Sequence, residues 1–124
     1  MELRESTEDY LEAILNIKSE QGYVRSVDVA THMNVTKPSV SYATKKLKQN
    51  GYISTDANGM ILLTDKGQKV ANDIWTRHKT LSSFFISLGV KEKQALKDAC
   101  KVEHDLSEET FNAIKKFVEK NKDK

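Results

Sequence analysis

Five glycines and a single proline cut the first three quarters of this 124-residue chain into short stretches, and only small elements fit between them. Tyr10, Leu11, Ile14, Leu15 and Ile17 recur at helical spacing and stop at Gly22, a residue suited to the left-handed turn that ends a helix. Ser6 or Thr7 is expected to cap this first helix, with Ser6-x-x-Asp9 as a variant capping box. Ser26 to Met33 reads as a short second helix and Asn34 to Lys37 as a turn. Pro38 then opens a third helix, where its missing N–H costs nothing, and that helix runs to Asn50 before Gly51. Two β-prone runs, Tyr52–Thr55 and Met60–Leu63, flank Asp56-Ala57-Asn58-Gly59 and predict a hairpin. From Asp65 a long helix passes through Val70, Ile74, Trp75 and His78 to Leu88 and ends at Gly89. Two further helices are expected, over Lys91–Val102 and Ser107–Glu119, the last with Glu108 and Glu109 at the positive end of its dipole.

Three helices, a hairpin and three more helices predict a mainly α chain, with an N-terminal winged helix-turn-helix whose wing is the small β-hairpin. The net charge of +2 does not by itself mark a nucleic-acid binder, so the local distribution carries that argument. Between Lys37 and Asn50 there are four lysines and no acid. Ser39, Ser41 and Tyr42 lie near the start of the helix that would enter the major groove, within reach of base edges. Lys45 and Lys46 follow, placed to neutralise phosphates, while Thr36 and Lys37 sit at the turn beside the backbone. A solvated lysine-rich face would look the same in isolation; the preceding short helix and the following wing favour DNA.

Cys100-x-x-Glu103-His104 is the sharpest chemical feature, because positions i, i+3 and i+4 of a helix share a face. A thiolate, a carboxylate and an imidazole together suit a transition metal rather than calcium or magnesium. The plain alternative is a small buried cysteine beside an exposed Glu-His pair. Asp9 and Glu12 offer two carboxylates on one face of the first helix, and His78 borders the apolar stripe of the long one. His32 lies in the short helix without matching ligands and is read as structural.

With Cys100 as the sole cysteine, no intramolecular disulfide can form, and a reducing compartment is the default. The charged stretch Met1–Ser6 does not resemble a signal peptide and no apolar run approaches a membrane span, so a cytoplasmic location is expected. Without a Gly-rich phosphate loop or a nucleophile motif, an enzyme is disfavoured.

The chain resembles the diphtheria-toxin-repressor (iron-dependent repressor) family, and its short manganese-transport-regulator-like branch in particular. The carriers are Glu8-Asp9-Tyr10-Leu11-Glu12, Gly22-Tyr23-Val24, Pro38-Ser39-Val40, Leu63-Thr64-Asp65-Lys66-Gly67, Arg77-His78 and the run Cys100 to Ser107. The resemblance implies a winged-helix DNA-binding domain at 1–72, then an all-helical metal-binding and dimerisation domain at 73–124. It implies a homodimer on double-stranded operator DNA, with Leu81, Phe84, Phe85 and Leu88 at the dimer interface. It also implies metal held by Asp9, Glu12, His78, Glu103 and His104, matching the manganese branch. Cys100 departs from that branch, where glutamate is usual, and matches the iron branch; Asp9 departs from the methionine of the iron branch. The expected cofactor is therefore Mn(II) or Fe(II), with Zn(II) or Co(II) accepted in vitro, since a thiolate favours softer ions. The alternatives are a winged-helix regulator that binds DNA without metal, or one that senses redox state through Cys100.

Overall fold

The computed structural model describes residues 5–121, so the first four residues of the charged stretch Met1–Ser6 lie outside the described residues. The elements are α1 (Glu5–Gln21), α2 (Ser26–Met33), α3 (Lys37–Gln49), β1 (Ile53–Thr55), β2 (Ile61–Leu63), α4 (Asp65–Ser87), α5 (Glu92–Val102) and α6 (Glu108–Lys120). The fold is thus mainly helical with one two-stranded antiparallel sheet. The described residues form two compact units, divided between Asn72 and Asp73.

In the first unit, the apolar faces of α1, α2 and α3 converge on one core. Leu11, Ile14, Val24, Val29 and Val40 are sealed from solvent, and Leu47, Tyr52, Ile53 and Ile61 close the side nearest the hairpin. Truncating a residue such as Leu11 to alanine would cost about 2–5 kcal/mol, the usual range for a packed core position. The turn between α2 and α3 is tight. Asn34 takes the left-handed conformation at φ 56°, and Val35 N–H reaches back to Ala30 O at 3.1 Å, closing the end of α2. At the start of α2, the Asp28 carboxylate accepts from the backbone N–H of Arg25 and pairs with its guanidinium, which holds the Asp28 carboxyl below the usual carboxylate range.

Thr36 caps α3 by accepting from Ser39 N–H at 3.2 Å, with Pro38 in the first turn. The start of α1 differs from the expectation. The helix already includes Glu5, so Ser6 and Thr7 lie within it and do not cap it.

The hairpin pairs Ile53 with Leu63 and Thr55 with Ile61. The five residues between the strands, 56–60, are organised by Asp56: Gly59 N–H donates to Asp56 O at 3.0 Å, and the Asp56 carboxylate accepts from Asn58 N–H and Met60 N–H. Gly59 supplies the positive φ of 78° that such a loop requires.

The junction from hairpin to α4 is closely packed. Thr64 Oγ1 donates to Gly51 O at 2.6 Å and accepts from Gly67 N–H at 3.2 Å. Lys66 Nζ reaches Asn50 O at 3.0 Å. A side chain at Gly67 would place its Cβ 1.9 Å from Tyr52 O, so only glycine allows this approach.

In the second unit, Phe84 of α4 meets Phe117 of α6, and Arg77 of α4 lies over Phe111 of α6. Ile74, Leu81, Ala95, Ala99 and Phe111 are buried there. Ser107 caps α6 by accepting from Thr110 N–H at 3.1 Å, and Gly89, at φ 103°, follows the end of α4.

Candidate metal centre and nucleic-acid interface

Helix α5 ends at Val102, and Glu103, its capping residue, points its carboxylate inward with 0% exposure. Glu103 Oε2 lies 2.9 Å from Nδ1 of His78 on α4, and Oε1 lies 3.4 Å from Nε2 of the neighbouring His104. The His104 side chain is 2% exposed and that of His78 is 17% exposed. The His78 ring stacks on Trp75, with centroids 5.7 Å apart. One turn before Glu103, the Cys100 thiol is exposed, and its Sγ lies within 4.8 Å of a Glu103 carboxylate oxygen.

A sealed carboxylate is costly unless its lone pairs are used. Glu103 Oε1 accepts no hydrogen bond. An acid oxygen left so, flanked by two imidazoles with a thiol nearby, is a donor set that fits a divalent transition ion. His78, Cys100, Glu103 and His104 are thus gathered within the second unit. Asp9 and Glu12 lie in the first unit, three residues apart on one face of α1, both half-buried.

The residues expected to meet DNA are all on the surface. Thr36, Lys37, Ser39, Ser41, Tyr42, Lys45 and Lys46 are each exposed, whereas Val40 and Leu47 of the same helix are buried. Tyr42 is 63% exposed, with Lys46 Nζ 4.7 Å above its ring. The Thr36 hydroxyl is engaged inside the protein as the cap of α3. Lys48 donates to Thr55 Oγ1 at 3.0 Å and ties α3 to β1.

The expected dimer set divides. Leu81 has no exposure in the single chain and so offers no surface to a partner. Phe84 and Phe85 are half-buried, and Leu88 is 64% exposed. Phe84 meets the exposed Phe117 of α6 edge to face at 5.9 Å.

The sequence reading did not single out Arg77 for any role of its own. Its Nη1 donates to Glu103 O and to Leu106 O, both at 2.9 Å. The only sequence signal was a basic residue beside a candidate ligand.

Residues 2–59 match the N-terminal DNA-binding domain of the iron dependent repressors, and residues 64–124 match their metal-binding and dimerisation domain. The chain belongs to the iron-dependent repressor family. Members of the family are transcriptional regulators, not enzymes. This repressor-family chain is 40% identical over 124 residues to an uncharacterized helix-turn-helix-type transcriptional regulator of Methanocaldococcus jannaschii, covering 98% of the chain and 99% of that relative. It is 36% identical over 118 residues to the transcriptional regulator MntR of Escherichia coli O6:H1, covering 95% of the chain and 76% of the relative. Among solved structures, the manganese regulator SloR superposes with a TM-score of 0.81 at 27% identity over 91% of the chain. The repressor-family chain spans about half, 53%, of that solved protein. Among the described residues, no helix is long and apolar enough to cross a membrane.

Proposed function

We propose that this chain is a cytoplasmic, metal-activated repressor that binds operator DNA as a homodimer, with Mn(II) or Fe(II) as its ion and metal-uptake genes as its targets. The observation that carries the reading is the sealed Glu103 carboxylate, with His78 Nδ1 at 2.9 Å and His104 Nε2 at 3.4 Å. His78, Glu103 and His104 would hold the ion from the second unit, Cys100 would add a thiolate, and Asp9 and Glu12 would add carboxylates from α1. The thiolate moves the preference toward Fe(II), Co(II) or Zn(II), and the hard oxygens favour Mn(II).

A bound divalent ion supplies charge that offsets the gathered carboxylates, and bonds that exist only when the whole ligand set is assembled. Glu103 engages His78 through Oε2 and has His104 beside its other oxygen, and Asp9 and Glu12 would add carboxylates from α1 when an ion is bound. Restricting the first helix in this way favours the DNA-competent population. Lys37, Lys45 and Lys46 neutralise phosphates, while Ser39, Ser41 and Tyr42 reach base edges. Phe84, Phe85 and Leu88 contribute apolar surface to the dimer.

The test is fluorescence anisotropy with DNA selected from a random-sequence pool, in chelator and then with Mn(II), anaerobic Fe(II), Co(II) and Zn(II). Binding that appears only with metal, and is lost in Glu103→Ala and His104→Ala, is the expected result. Equal binding with and without metal overturns the switch. The exposed Cys100 thiol favours one second reading, a redox response. Cys100→Ser separates the two: a redox sensor loses its response to peroxide, whereas a metal sensor changes its metal preference.

A further inference from the structure

We propose that Arg77 is a positioning residue for the metal centre, one that sets ion affinity without contributing a donor atom to the ion. The inference rests on the metal-centre reading above. A single nitrogen, Arg77 Nη1, donates to two main-chain carbonyls, Glu103 O and Leu106 O, each at 2.9 Å. These carbonyls bracket the four-residue turn that follows α5. Beyond α5 the chain lacks the next helical turn of N–H donors, so such carbonyls need partners from elsewhere. The negative end of the helix dipole further favours a cation there. The guanidinium also lies over the ring of buried Phe111, 4.9 Å from its centroid, which limits where its nitrogens can go.

The neighbouring residue on α4 is His78, whose Nδ1 lies 2.9 Å from Glu103 Oε2. Arg77 and His78 therefore hold Glu103 at both ends, Arg77 by its main-chain carbonyl and His78 by its carboxylate. The main chain of His104, which lies between Glu103 and Leu106, is held by the same closed turn. A ligand pair whose backbone is set in advance loses less conformational freedom when an ion binds, and affinity rises accordingly. Outer partners of metal ligands typically change affinity by about 10- to 100-fold when removed.

The experiment compares full-length wild type, Arg77→Gln and Arg77→Lys. Mn(II) affinity is read by chelator competition, ligand geometry by the Co(II) absorption spectrum, and the fold by the thermal midpoint of the metal-free protein. The expected result for Arg77→Gln is a Kd raised by about 10- to 100-fold with an altered Co(II) spectrum. Arg77→Lys should fall between it and wild type, since it keeps a cation at the end of α5 but not the planar guanidinium. If the metal-free midpoint drops while Kd and the Co(II) spectrum stay as in wild type, Arg77 is a packing residue and the inference is overturned. Should Arg77→Gln fail to fold, Arg77→Lys is judged by the same two metal readouts: a weakened Kd with an altered spectrum supports the inference, and wild-type values overturn it. Wild-type protein that binds no ion, or Glu103→Gln that binds as tightly as wild type, overturns instead the reading of the metal centre, and the inference with it.

Discussion

Glu103 shows how a single residue can be unfavourable for folding and still useful. An acid with 0% exposure carries a desolvation cost that His78, at 2.9 Å, offsets only from one side. Glu103→Gln removes the charge and keeps the shape. Without metal this variant is expected to melt at or above the wild-type temperature, while the rise in midpoint on adding Mn(II) disappears; scanning fluorimetry with and without the ion checks both. In wild type that rise corresponds to about 2.7 kcal/mol when the ion stands at 100 times its Kd. Gly67 is the opposite case, a residue whose value lies in having no side chain. Its Cβ would fall 1.9 Å from Tyr52 O, a backbone atom that cannot swing aside. Gly67→Ala should therefore destabilise the first unit by about 1–3 kcal/mol, the range for overpacking, measured by urea unfolding.

At the scale of elements, α3 divides its work between two faces. Val40 and Leu47 anchor it in the core, and the opposite side leaves Lys37, Lys45 and Lys46 in solvent with no acid in the helix. Each lysine that meets a phosphate contributes about 0.9 to the slope of log affinity against log salt. Lys45→Ala or Lys46→Ala should weaken binding to all sequences alike and flatten that slope by about one, whereas Tyr42→Ala should relax sequence preference. A salt titration of DNA binding in each variant decides which side chains touch the backbone. The wing and α4 are joined to this helix by short polar links: Lys48 to Thr55 Oγ1, Lys66 to Asn50 O, and Thr64 to Gly51 O. Most of these partners are main-chain carbonyls, so the joint depends on the path of the backbone more than on the identity of the residues accepting the bonds.

The whole molecule needs a partner chain to read a two-fold operator. Leu88, Ile86 and Phe117 remain substantially exposed in the single chain, a large apolar allotment for a surface of this size. Leu88→Glu is expected to shift the protein toward monomer in light scattering and to weaken DNA binding, with metal affinity of the folded chain changing far less. An unchanged dimer would place the contact elsewhere on the helices of the second unit. Leu81→Glu, by contrast, should unfold that unit, because Leu81 has no exposure to give up.

Much of this protein is decided by local chemistry and could be read along the chain. Gly22, Asn34, Gly59 and Gly89 mark points where the backbone turns left-handed, and Pro38 and Ser107 mark helix starts, because φ preferences and capping act over a few residues. The spacing of Cys100, Glu103 and His104 predicted one helix face, but α5 ends at Val102, so Glu103 and His104 lie in the turn beyond it, with Cys100 exposed and Glu103 sealed. Depth was not legible. Leu81 and Leu88 belong to the same apolar stripe of α4, yet one is sealed and the other exposed, a difference set by tertiary packing and not by spacing along the helix. The pairing of Arg77 with the carbonyls of Glu103 and Leu106 was equally hidden. It joins residues 26 and 29 positions apart through main-chain atoms that every residue possesses, so no residue type could have advertised it. Periodicity and caps act within one element and leave a mark in the sequence; burial and carbonyl contacts arise when elements meet, and tertiary structure alone decides them.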